Sequence, residues 1–93
     1  MANETKKNGD SLLTFPCNFT IKVFGQGSDE FEHAVLMIIN KHVSNAADRA
    51  IQTRDSENGK YRSLSITVHI ESKQQLDAIY HDLSNSPHVL MAL

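Results

Sequence analysis

The sequence has no tryptophan, a single cysteine, two prolines and no surplus of either charge across its 93 residues. The lone Cys17 excludes an intramolecular disulfide and any thiolate cluster within one chain, which fits a reducing compartment. Nine Lys and Arg against eleven Asp and Glu give a net charge of −2, too little field to draw a polyanion. No run approaches the ~20 apolar residues of a membrane span. Met1 to Asp10 also lacks the apolar stretch of a secretory signal. These absences predict a soluble, cytoplasmic protein with no nucleic-acid or membrane partner and no cofactor. What is present, 40% hydrophobic residues in a chain of single-domain size, suffices for a thin core.

Residues 1–11 are polar and aperiodic and read as a disordered tail; 12–93 read as one domain. Leu12, Leu13 and Phe15 form an apolar cluster expected to clip onto the domain surface, with Pro16 holding Phe15 extended. A strand is expected over about 18–24, with Phe19, Ile21 and Val23 inward and Thr20, Lys22 and Phe24 on the other face. Gly25 and Gly27 allow a sharp turn into a helix over about 29–43. Its N-cap is either Asp29, with Glu32 completing a capping box, or Ser28. Phe31, Ala34, Val35, Ile38 and Ile39 supply the buried stripe.

Residues 46–53 carry a weak alternating signal and read as a charged edge strand. Asn58-Gly59 marks a hairpin. From Tyr61 to Ile70 the alternation is strict: Leu64, Ile66, Val68 and Ile70 face one way, Ser63, Ser65, Thr67 and His69 the other. A second helix begins at Ser72, with Gln75 in capping-box position, and stops at Asn85-Ser86-Pro87. A last strand, His88 to Leu93, is apolar on both sides. The order β-α-β-β-α-β predicts an α+β, ferredoxin-like sandwich. Its four-stranded antiparallel sheet has order 4-1-3-2, with both helices on one face. The other face is then bare, and the last strand is an exposed apolar edge that calls for a partner, so a homodimer is expected.

The chemistries such a fold hosts mostly find no residues here. There is no Cys-x-x-Cys, and no arginine between 15 and 30 to hold a phosphate. Phe24 and Tyr61 sit at strand ends and are the only aromatics placed to stack on a base. The five histidines show no HxxxH or HxH spacing; His69 and His88 would meet on the open face only if the register allowed. No catalytic or metal-binding constellation emerges. Gly25, Gln26, Gly27, Ser28 and Asp29, glycine-rich and ahead of a helix, form a candidate loop for a small carboxylate or amino acid. The dinucleotide fingerprint fails because position 30 is Glu30. Lys22, Ser65 and His69, on neighbouring strands, are the polar side chains an accessory enzyme or carrier for small acyl or amino-acid compounds would recruit.

Phe15-Pro16, then Phe19-Thr20-x-Lys22-Val23-x-Gly25, and Ser56 to Tyr61 leading into Ser63-x-Ser65-Ile66-Thr67, resemble the YbeD family of small uncharacterised bacterial proteins over residues 12–93. The resemblance implies a βαββαβ fold similar to the ACT-type regulatory domains that bind amino acids. It implies no activity and no catalytic residues. Members are often encoded beside lipoate-attachment enzymes, which implies a link to lipoate metabolism. The expectation is a non-enzymatic regulatory or interaction module with a protein partner or small-molecule effector.

Overall fold

The computed structural model describes residues 14–93; the tail and Leu12-Leu13 lie outside the described residues. The elements are β1 (Cys17–Gln26), α1 (Asp29–His42), one 3₁₀ turn (Ala46–Asp48), β2 (Arg49–Asp55), β3 (Tyr61–Ile70), α2 (Lys73–Ser84) and β4 (Val89–Ala92). They form a fully antiparallel sheet in order β2-β3-β1-β4. This is the ferredoxin-like topology expected from the element order.

The two long central strands register residue for residue, from Cys17 opposite Ile70 to Gln26 opposite Tyr61. Alternation then sends Ile21 and Val23 with Leu64, Ile66, Val68 and Ile70 to one side, where all are buried. Phe31, Val35 and Ile39 of α1 and Leu76, Ile79 and Leu83 of α2 meet them there. Phe15 and Phe19 pack against this core, Phe19 edge-on to Tyr80 at a centroid separation of 6.4 Å.

At α1 the structure decides between the two expected caps, and in three further places caps or boundaries differ from expectation. Ser28 is the N-cap of α1 and its hydroxyl accepts from the Phe31 N–H, so Asp29 and Glu32 form no box. They remain in the first turn, where carboxylates complement the helix dipole. At α2 the Ser72 hydroxyl caps the Gln75 N–H, but the Gln75 side-chain carbonyl accepts from Glu71 N–H. Its amide donates to the His42 carbonyl at 2.9 Å, tying the start of α2 to the end of α1. Residues 46–48 turn instead of pairing, because β2 has partners only from Arg49 onward. Finally, β4 begins at Val89, leaving His88 before the strand.

Candidate functional site

The turn after β1 is closely packed. Gly25 is the last buried residue of the strand, and the Phe31 ring occupies the space a side chain there would need, with its Cγ 2.7 Å from an ideal Cβ position. Gly27 donates its N–H to the Lys60 carbonyl at 2.9 Å, and its open side faces the Gly59 carbonyl. The Ser28 N–H turns back to the Gln26 carbonyl at 2.8 Å. Both glycines are therefore required by close approach, and these two loop donors point at the protein's own carbonyls. Asp29, Glu30 and Glu32 surround the opening of α1 with negative charge, which disfavours a carboxylate ligand.

Arg62, which the sequence reading passed over, fastens this corner. It is only 17% exposed. Its Nε donates to Asp55 Oδ1 at 2.7 Å and its Nη1 to Glu32 Oε1 at 3.0 Å, with the Ser28 carbonyl at 3.4 Å. The hydrogen bond from Arg62 holds the Asp55 carboxyl below its ordinary range, and the same bond strengthens the protonation of Arg62. The signal was available: Arg62 continues the inward phase of Leu64, Ile66 and Val68, and an inward charge needs partners.

The sheet face away from the helices, which none of the described residues covers, has a different character. The register sets Lys22 beside Ser65 and Ser65 beside Gln52; the next row sets Met91 beside Phe24, Phe24 beside Ser63 and Ser63 beside Arg54. Leu93 extends the Lys22 row, its N–H and carbonyl both bonded to the Lys22 backbone at 2.7 and 3.0 Å. Lys22, Phe24, Gln52, Arg54, Ser63 and Ser65 thus line one broad groove. Among the described residues, no side-chain hydrogen bond or ion pair engages Lys22, Gln52, Arg54 or Ser65. Met91 and Leu93 are more than half exposed at the β4 border, and Tyr61 projects near Phe24.

Lys22 and Ser65 therefore are neighbours, and His69 is not with them. It lies four residues farther along β3, about 13 Å at strand rise. There its Nδ1 meets Asn18 Oδ1 at 3.1 Å and its Nε2 meets Glu71 at 3.3 Å. His88 cannot join it: β4 pairs with the Gly25 end of β1 and His69 with the Asn18 end. Among the described residues no group of three His, Cys, Asp or Glu side chains is placed to hold a metal ion. No helix among them is long and apolar enough to cross a membrane. Between the helices, His42 Nε2 and Asp82 Oδ2 are 2.7 Å apart, and this bond, aided by Lys41, keeps the Asp82 carboxyl low. Burial pushes the Tyr80 hydroxyl up.

Comparison with known proteins adds kinship without chemistry. A family model described as a protein of unknown function (DUF493) matches residues 10–93. The UPF0250 protein NE1487 of Nitrosomonas europaea is 37% identical over 90% of this chain and 97% of its own length. The UPF0250 protein NMC1112 of Neisseria meningitidis is 39% identical over 95% and 97%. Two solution structures share the fold. Protein HP0495 of H. pylori has a TM-score of 0.70 at 17% identity, over 100% of this chain and 94% of that one. The C-terminal domain of the MgtC protein of Mycobacterium tuberculosis has 0.60 at 16% identity, over 82% of each.

Proposed function

The chain belongs to the DUF493 family, whose UPF0250 members are the YbeD-type proteins it resembles over residues 12–93, and from that premise we propose that it is a non-enzymatic interaction module working through the open face of its sheet. The observation that carries this reading is the groove itself. Two unpaired cations, free hydroxyl and amide groups and a border of half-buried Phe24 and exposed Met91 and Leu93 lie together on one surface that none of the described residues covers. Such a face, apolar at one side and polar at the other, is what a docked partner covers.

The reading extends to an ACT-like, regulatory role in the cytoplasm, linked to lipoate metabolism through the family, and to a homodimer. The β4 edge supports the dimer. Leu90, Met91 and Leu93 are exposed and uncharged there, whereas the opposite edge, β2, carries Arg49, Arg54 and Asp55. Pairing two β4 edges would leave both outer faces open side by side. The Gly25–Asp29 loop is a weaker candidate, its Gly27 and Ser28 donors being engaged. An accessory enzyme using Lys22, Ser65 and His69 together would need a convergence that the register opposes.

Light scattering tests the dimer. The wild type is expected at twice its 10.4 kDa chain mass, and Leu90→Lys at the monomer mass with an unchanged circular dichroism spectrum. A wild-type monomer at 100-micromolar-scale concentration, or a Leu90→Lys dimer, would remove the β4 edge from the proposal.

A further inference from the structure

The eleven acidic residues outnumber the basic ones, yet their placement is uneven. The nine within the described residues are Asp29, Glu30 and Glu32 on α1, Asp77 and Asp82 on α2, Asp55 at the end of β2, and Asp48, Glu57 and Glu71 just outside β2 and β3. Asp55 is in register with Arg62, on the helix side. No strand side chain that alternation sends to the open face is a carboxylate; Asp48 and Glu71 stand at its far end, beside Asn18 and His69. That face carries Lys22 and Arg54, neither of them ion-paired among the described residues, on a protein whose net charge is −2. Neither cation has a carboxylate of the described residues beside it, so both charges are open to a partner's.

We infer that the open sheet face binds an acidic, amphipathic α-helix of a partner protein, its carboxylates on Lys22 and Arg54 and its apolar stripe on Phe24, Met91 and Tyr61. This rests on the interaction-module reading and adds the chemistry of the partner. Geometry favours a helix. From β2 to β4 the sheet spans about 14 Å at ordinary strand spacing, and a helix with side chains is about 10–12 Å across, so one helix covers the face. Lys22 and Arg54 are two strands and one row apart, roughly 12 Å between Cα atoms. Two glutamates seven residues apart on one helix are about 10 Å apart along its axis, within reach of two long cationic side chains. Ser65 and Gln52, between and beside the cations and otherwise unbonded, can donate to the same carboxylates. The docked helix would do for the open face what α1 and α2 do for the other, completing a third layer.

The test uses the full chain, labelled with ¹⁵N, and two synthetic 18-residue helical peptides with the same leucine stripe, one flanked by glutamate and one by lysine. The acidic peptide is expected to shift the amides of Lys22, Phe24, Ser63 and Ser65, the basic one to leave them in place. Lys22→Glu with Arg54→Glu, both exposed and outside the core, should weaken the acidic peptide about tenfold or more and admit the basic one. If both peptides bind wild type equally, the face is a docking surface without acidic preference: the inference fails and the module reading survives. If neither peptide shifts the face, both fail. Concentration-dependent shifts of the same residues without peptide would assign the face to a second copy of the chain. Shifts caused only by a single-stranded oligonucleotide would assign it to nucleic acid. Either result overturns the inference.

Discussion

Asp55 and Arg62 oppose each other in the β2–β3 ladder, and the guanidinium clasps the carboxylate by two donors, Nε at 2.7 Å and Nη2 at 3.4 Å. A carboxyl whose folded value is depressed contributes stability that is fully present above its unfolded value, near 3.9, and is lost as pH falls through the lower folded value. Asp82, held down by His42, behaves alike. Urea midpoints should therefore hold steady from neutral pH to about 5 and fall below about 4. Asp55→Asn should lower the midpoint at pH 7 and converge on wild type near pH 2. An equal gap at both pH values would show that the pair's charge has no part in stability.

Gly25→Ala places a methyl group where the Phe31 ring lies. The backbone there is not in the left-handed region, so the cost is steric alone. About 1–3 kcal/mol is expected, as for overpacking elsewhere in cores. In a Phe31→Leu background the same substitution should cost measurably less, and a double-mutant cycle by chemical denaturation reads the coupling. Zero coupling would mean that the ring moves aside freely.

The two faces of β3 should respond differently to truncation. Ile66 is fully buried in register between Ile21 and Ile51, so Ile66→Ala should cost about 2–5 kcal/mol. Next to it, Thr67 shares only an exposed 2.9 Å hydroxyl contact with Thr20, and Thr67→Ala should cost about 1 kcal/mol or less. Calorimetric melting separates them; similar losses would contradict the assignment of faces.

Gln75 joins two helix ends, accepting from Glu71 N–H at 2.7 Å and donating to the His42 carbonyl. Gln75→Ala should cost about 1–2 kcal/mol. It should also speed amide exchange at the start of α2 and the end of α1 together. Ser72→Ala, which removes the cap alone, should cost about 1 kcal/mol and affect only α2. If the two variants gave the same exchange pattern, the bridge to α1 would carry no weight.

What the sequence made legible follows from which interactions are local. The alternation of β3 and the stripes of both helices are periodic within one element, and with the β-α-β-β-α-β order they lead directly to the 4-1-3-2 sheet that the structure has. Caps were read by spacing, which identified Ser72 but left Ser28 and Asp29 equivalent, because the choice depends on one backbone conformation. Arg62 was missed because its partners come from three places: Ser28 before α1, Glu32 on it, and Asp55 on β2. The glycines of the first turn looked like a ligand loop because the hairpin tip that fills it lies more than thirty positions downstream. The groove was hidden for a related reason. Lys22 and Arg54 are ordinary surface cations until the register sets them on one face, in adjoining rows that hold no carboxylate.

The bond from Gly27 to Lys60 also constrains how this chain can vary. Hairpin tips are usually where inserted residues are tolerated. Here the tip is a buttress, since the Lys60 carbonyl accepts from one turn while the Gly59 carbonyl blocks any side chain on it. Lengthening the segment 56–60 would displace both carbonyls and loosen the start of α1. The two turns are therefore matched in length, and a change in one should be viable only with a compensating change in the other.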